Sequence, residues 1–362
     1  MTIAEVQGSE EPTPTKAEGR SRGGMPPLLR YLIIRVALVP LMIWILVTLV
    51  FLLMRVIGDP ITAALGGRLS PEQIEQRKAA AGLSGPILGQ YWDYLTGILH
   101  FDFGTTLTDN RSITSIFVVN GLATLELAFW SLIVAFLIGI PLGRVAARYR
   151  DRYTDVVLRV FSIVVYAAPV FFLGLLFKLA FSPFGWPVAG RSSIETEIAL
   201  TNVTPQTHIM ILDAILWGNP DYVWDVLQHA VLPALTLGLL TGGVFLRLVR
   251  INLIGTLGAD YVTAARARGV SERRVIRKHA FRNALVPVVT VMGMQIALLL
   301  GGAVLTETTF EWQGLGYTLA QYLIKRDFIA VQGIVTLFAI VVSIASLVID
   351  VIVAFVDPRV RF

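Results

Sequence analysis

Six stretches of the chain carry no charged residue at all: 36–54, 127–142, 160–177, 230–246, 284–306 and 328–349. A hydrocarbon core about 30 Å thick takes about 20 mostly apolar residues as a helix, so this pattern predicts six membrane-spanning helices. The second and fourth are short for a span and reach full length when Glu126 opens the one and Arg247 closes the other. A water-soluble fold burying six such helices would lack the amphipathic shell to cover them. The polar positions gather between and before the runs. Residues 1–29, rich in Glu, Thr, Pro, Gly and Arg, cannot bury enough apolar surface to order themselves and are expected to form a disordered tail. Residues 30–362 are expected to form the membrane domain. The first run is too long for a cleaved leader, follows about 30 polar residues that include Glu5, Glu10, Glu11 and Glu18, and lacks a small-residue cleavage site, so it is expected to stay in the mature protein.

Composition agrees: 55% of the residues are hydrophobic and 15% charged, with a mean hydropathy of +0.70, whereas a soluble domain carries roughly a quarter charged residues. The absence of cysteine excludes a disulfide framework, a thiolate zinc site and a cysteine nucleophile. His100, His208, His229 and His279 are too dispersed for a histidine metal site or the catalytic constellation of a membrane-anchored enzyme.

The net charge of +5 reflects topology rather than nucleic acid. With the N-terminus inside, the inner segments hold 19 Lys and Arg, nine of them between Arg247 and Arg282, and the outer segments hold 7. Cytoplasmic loops carry the basic excess, so both termini are expected in the cytoplasm of a prokaryotic cell, with membrane lipids as the surrounding partner. Two outer segments are large, 57–119 and 182–229. The first contains a punctuated helix, with Ser70 at its N-cap, Pro71 in its first position and Gly82 past its end, followed by the aromatic Tyr91, Trp92 and Tyr94. The second carries Pro183, Pro187, Pro205 and Pro220 and reads as irregular, with one short helix near 209–217.

The inner segment 251–283 is the most informative. Asp260 is placed to cap a short helix, DYVTAARAR, that ends at Gly269, a residue free to take the left-handed conformation. Ser271 is placed to cap a second helix, ERRVIRKHAFRN. Ala264, Ala265 and Ala267 give the first helix a smooth surface for a partner, and Arg266 and Arg268 add charge for steering or pairing. A surface hairpin whose arginines touch lipid phosphates is the plainer reading.

Thr263-Ala264-Ala265, then Gly269, then Asn283-Ala284-Leu285-Val286-Pro287 resembles the EAA loop of permease subunits of ATP-binding cassette importers, with Thr263 in place of the glutamate and Val286 in place of leucine. The resemblance is to the dipeptide, oligopeptide and nickel branch. It continues through Gly58-Asp59-Pro60, Ala123-Thr124-Leu125-Glu126-Leu127, Ala168-Pro169-Val170-Phe171-Phe172-Leu173-Gly174, HAVLPALTLG from His229, Gly314-Leu315-Gly316, Arg326-Asp327-Phe328 and Asp357-Pro358-Arg359. It covers the chain from about residue 30 onward, apart from the 182–228 loop, which is longer than usual.

The resemblance implies an all-α type I importer permease fold and a transporter subunit rather than an enzyme. This chain has no GxxxxGK[ST] phosphate loop and no Gly-Lys pair. No cofactor is expected on it, and the resemblance implies that ATP and Mg would be handled by two separate ATPase subunits. Thr263, Ala264, Ala265, Arg266, Arg268 and Gly269 would dock on one of them. A second permease, expected to be a different chain, would complete the pore, and an extracytoplasmic binding protein would deliver di- or oligopeptides. Nickel, a glycoside or an opine-like solute are alternatives, as is a self-contained secondary transporter, although no internal repeat is visible.

Gly139-xxx-Gly143 and Gly238-xxx-Gly242 have the spacing for close helix approach. Ionisable groups at membrane depth are costly, which singles out Glu126, Lys178 and Asp350. The first two lie near span ends, where snorkelling suffices to explain them, and Asp350 is expected to pair with a basic residue. The neutral Gln295, in mid-span, is the best pore-lining candidate; Glu126 is the other residue assigned to the substrate path.

Overall fold

The computed structural model describes residues 27–356 apart from 66–68 and 81–82, and among these every regular element is helical. The expected tail falls almost wholly outside the described residues, as do Gly82 and the terminal Asp357-Pro358-Arg359. The outer segment after α1 (Pro27–Ile57) folds as α2 (Pro60–Leu65), α3 (Pro71–Ala80) and α4 (Ile87–Leu99). At the start of α3 the expected cap is present: the Gln73 amide donates to the Ser70 hydroxyl at 3.3 Å, and the Ser70 amide donates back to Gln73 Oε1 at 3.0 Å. This reciprocal pair satisfies two N–H groups that a helix start leaves open.

Then come α5 (Ile113–Arg148), α6 (Tyr153–Ala167), α7 (Val170–Phe181), α8 (Ile194–Leu200), α9 (Met210–Trp217) and α10 (Pro220–Leu257). The charge-free runs 127–142 and 230–246 underestimate α5 and α10, which extend for 36 and 38 residues. At 1.5 Å per residue each is over 50 Å long, well beyond the hydrocarbon thickness. The extra turns carry polar and charged side chains, which end a charge-free run without ending a helix.

The third predicted span is broken. α6 and α7 meet at 104°, at Ala168-Pro169. Proline has no N–H to continue the ladder, and its ring drives the preceding residue into extended backbone; Ala168 accordingly has ψ 132°. Among the described residues, four further helices are long and apolar enough to cross a membrane, α1, α5, α10 and α16 (Phe328–Val356). Between α10 and α16 lie α11 (Asp260–Ala267), α12 (Glu272–Arg274), α13 (Phe281–Gly302), α14 (Val304–Phe310) and α15 (Leu315–Ile324). The fifth charge-free run therefore becomes α13 and the first residues of α14.

The core is built on the pairing of α5 with α10, to which α6, α7 and α13 add, while α1 lies along α16. A layer of Leu127, Ala128, Ala230, Leu237, Leu299, Ala303 and the fully buried Trp312 joins α5, α10 and α13. Facing away from it, Leu41, Trp44, Ile45, Leu49 and Leu52 of α1 stand about half exposed. In water that surface would forfeit roughly 25 cal/mol per Å² of apolar area; in lipid it costs nothing.

Candidate coupling site and outer anchors

The hairpin between α10 and α13 is a small folded unit. Val262 and Ala265 of α11 are buried in a cluster with Leu253, Val275, Ile276, Ala280, Ala284 and Ala147. Because a helix repeats every 3.6 residues, burying that stripe turns Thr263, Ala264, Ala267 and Arg268 outward, and all four are exposed. Gly269 closes the helix with φ +76°, a conformation that side-chain-bearing residues take only at a cost. Asp260 is the first helical residue rather than the cap; Ala259 holds the cap position without a side-chain bond.

Arg266, also exposed, is engaged within the hairpin. Its Nε and Nη2 donate to the two Glu272 oxygens at 3.0 and 2.8 Å, and its Nη1 donates to the Leu257 carbonyl at 3.1 Å. The fork geometry suits a carboxylate. It ties α11 to α12 and to the end of α10, and the Arg266 hydrogen bonds hold the Glu272 carboxyl below its ordinary range. The second helix of the hairpin is interrupted: α12 passes into a π-turn at Val275–Ala280 before α13. A single π-turn shifts the ladder by one residue and is a frequent feature of functional helices.

The four glycines chosen for helix packing all lie in the contact between α5 and α10 within the chain. A Cβ on Gly139 would lie 2.6 Å from the Gly242 carbonyl oxygen, one on Gly143 would lie 2.7 Å from Val249 Cβ, and one on Gly238 would lie 2.8 Å from the Ser131 carbonyl. Gly242 itself lies against Ala135. The backbones of α5 and α10 thus touch where side chains would hold them apart.

At the other end of the bundle, buried carboxylates fasten the outer segments. Glu126, 4% exposed, accepts from Arg191 Nη2 and from the Met210 and Ile211 amides at 3.1 and 2.9 Å, the open N–H groups at the start of α9. A negative charge there also suits the helix dipole. Glu126 is therefore sealed and fully partnered, an anchor for the 182–229 loop rather than a side chain open to a path.

Glu307, which sequence reasoning passed over, plays the same part for α15. It accepts from the Thr124 hydroxyl at 2.7 Å and the Tyr317 amide at 2.9 Å, while the Leu315 amide donates to Thr124 at 2.8 Å. A Cβ on Gly314 would collide with that carboxylate and one on Gly316 with Val304, so Gly314-Leu315-Gly316 was the available signal. Asp327 accepts from the Leu107 and Thr108 amides at 2.7 and 2.9 Å and from the Ala330 amide at 3.1 Å, holding the loop before α5 to the start of α16.

Lys178 donates to the Thr309 carbonyl at 2.8 Å, and Asp350 pairs with Arg35 of α1 at 3.0 Å. Gln295 is partly exposed on α13.

Residues 139–362 match the family described as binding-protein-dependent transport system inner membrane component, and residues 28–110 match the N-terminal part of such components. The dipeptide transport system permease protein DppB of Escherichia coli (strain K12) is 38% identical over 308 residues, covering 84% of this chain and 90% of that protein. The di/tripeptide transport system permease protein DppB of Pseudomonas aeruginosa (strain UCBPP-PA14) is 36% identical over 317 residues, covering 86% and 93%. The glutathione transport system permease protein GsiC of Salmonella choleraesuis (strain SC-B67) is 34% identical over 339 residues, covering 92% and 100%.

Proposed function

Since the chain belongs to the family of binding-protein-dependent transport system inner membrane components, we propose that it is a permease subunit of an ATP-driven importer of short peptides. It forms half of a translocation pore whose other half is a second permease, and two ATPase subunits act from the cytoplasmic side. An extracytoplasmic binding protein delivers the solute. The dipeptide, di/tripeptide and glutathione permeases among its relatives support peptides rather than nickel as cargo. Family membership also favours this reading over a self-contained secondary transporter. The six charge-free runs and the 19 to 7 basic asymmetry support six spans with both termini inside.

One observation carries the mechanism: α11 exposes Thr263, Ala264, Ala267 and Arg268 while its opposite face is packed into α10 and α13. Closure of the ATPases displaces α11 as a rigid body. The Arg266 to Glu272 fork and the buried Val262 and Ala265 pass that displacement to the two membrane helices. The pore then shifts between inward-open and outward-open arrangements, because ATP and solute each bind one arrangement better. Gln295 on α13 is the polar group proposed to face the path.

The chain has no cysteine, so Thr263→Cys offers a single label. A membrane-impermeant maleimide should label it in inverted vesicles and not in intact spheroplasts, and assembly with the ATPase subunits should protect it. Labelling from outside would overturn both orientation and role.

A further inference from the structure

Two arginine pairs line a cavity of about 460 Å³ beside the hairpin: Arg144 and Arg148 from the end of α5, and Arg273 and Arg277 from α12 and the π-turn. Each pair is spaced i, i+4, which places like charges on one helix face at a cost in stability. Arg274 and Lys278 line an adjoining cavity with Arg273 and Arg277. Among the described residues none of these six cations makes an ion pair with a carboxylate. Glu272, the carboxylate that feels Arg148, is already forked by Arg266.

The remaining lining of the first cavity is apolar: Pro141, Val145 and Ile276. Arg144 lies over the Phe281 ring, 4.6 Å from its centre, so one face of the guanidinium rests on an aromatic surface. The cavity sits where two apolar runs end, residues 127–142 of α5 and residues 284–306 beginning in α13. The ends of those runs put it where a membrane boundary is expected, with four arginines and three apolar side chains in its lining.

We propose that this cavity binds the phosphate of an anionic phospholipid from the leaflet on the hairpin side. Guanidinium forks match phosphate oxygens, the glycerol and first acyl carbons lie on Pro141, Val145 and Ile276, and the headgroup relieves the repulsion among the arginines. Because Arg273 and Arg277 lie on either side of the join between α12 and the π-turn, the bound lipid also braces the hairpin against α5.

The test is native mass spectrometry of the full-length chain in detergent, titrated with phosphatidylglycerol or with phosphatidylcholine of the same acyl chains. One phosphatidylglycerol should be retained at about tenfold lower lipid concentration than phosphatidylcholine. The double variant Arg144→Gln, Arg277→Gln should abolish that preference with the circular dichroism spectrum unchanged, and the more exposed pair Arg273→Gln, Arg274→Gln should reduce it. Arg152→Gln, away from the cavity, should leave it intact. Millimolar inorganic phosphate should not displace the lipid.

Equal retention of the two lipids, or a double variant that retains the preference, overturns the proposal. Displacement by inorganic phosphate assigns the cavity to a soluble anion instead. Variants that bind phosphatidylglycerol normally yet lose co-purifying ATPase subunits assign it to an acidic protein surface.

Discussion

The Cβ that Gly139 lacks would lie 2.6 Å from the carbonyl oxygen of Gly242 and 2.7 Å from Cβ of Phe245. Neither neighbour is the free end of a flexible side chain, so a methyl group there forces α5 and α10 apart along their whole seam. Overpacking of this kind costs about 1–3 kcal/mol. Gly139→Ala should therefore lower the thermal midpoint of the purified chain in detergent by several degrees. Gly255→Ala, on the same α10 but with nothing within 4 Å, should hold or raise it, since alanine gains up to about 1 kcal/mol over glycine inside a helix. Equal losses at both positions would refute the close-packed seam.

Arg191 and Glu126 form a buried pair with side-chain exposures of 11% and 1%. Removing one partner of such a pair typically costs about 3–5 kcal/mol, because the other charge is left stranded. Glu126 keeps the Met210 and Ile211 amides, which places Arg191→Gln at the lower end of that range. Glu126→Gln, Arg191→Gln should be less harmful than the sum of the single changes, since neither charge is then unpaired. Limited proteolysis within 182–229 reads the effect: the single variants are cut faster, the double one less so, and strict additivity would count against the anchor.

How much of this was legible in the sequence depends on whether the controlling interaction is local. Ser70 with Gln73, and Gly269 after α11, are settled within one turn of chain and were readable. The break at Ala168-Pro169 was not, because Pro40, Pro141, Pro233 and Pro287 all lie inside continuous helices; residue type alone does not tell which proline has neighbours that compensate it. Glu307 escaped notice because Thr124 is 183 residues away in sequence, and of the two roles open to Arg266, steering and pairing, the sequence could not name Glu272 as its partner, because the two meet only once Gly269 turns the chain back.

The Arg266 to Glu272 fork makes the hairpin sensitive to acid. The Glu272 carboxyl is depressed from the ordinary 4.5 chiefly by its hydrogen bonds from Arg266. A depressed folded value means that its contribution is present above the unfolded value and fades as pH falls through the folded one. Both side chains are well exposed, so the pair is worth no more than about 1 kcal/mol. A spin label at Thr263→Cys should show α11 rigid at pH 7 and more mobile as the pH is taken below the ordinary carboxylate range. With Glu272→Gln it should be mobile at pH 7 and show little further change on acidification. A label equally rigid at both pH values in the unmodified hairpin would remove the fork from the account.

Gly269 is the strictest test of the lever. Its φ of +76° lies where a β-branched side chain meets its own backbone, a strain of roughly 1–3 kcal/mol unless the turn opens. A Cβ there meets no other atom within 4 Å, so the penalty of Gly269→Val is conformational and not a clash with the rest of the protein. If the turn opens, Arg266 loses Glu272, and α11 can shift without moving α13. In the assembled importer, peptide-stimulated ATP hydrolysis should then fall several-fold while membrane insertion and subunit assembly persist. Gly269→Asn should be milder, because asparagine enters the left-handed region more readily than other side chains. Gly258→Val is the matched control: it lies in the same inner segment with φ −88° and should affect coupling far less. The order Val worse than Asn at 269, with little effect at 258, follows only from a left-handed turn that must stay closed. Equal effects of all three changes would mean that the hairpin tolerates any backbone at its tip and that the force takes another route.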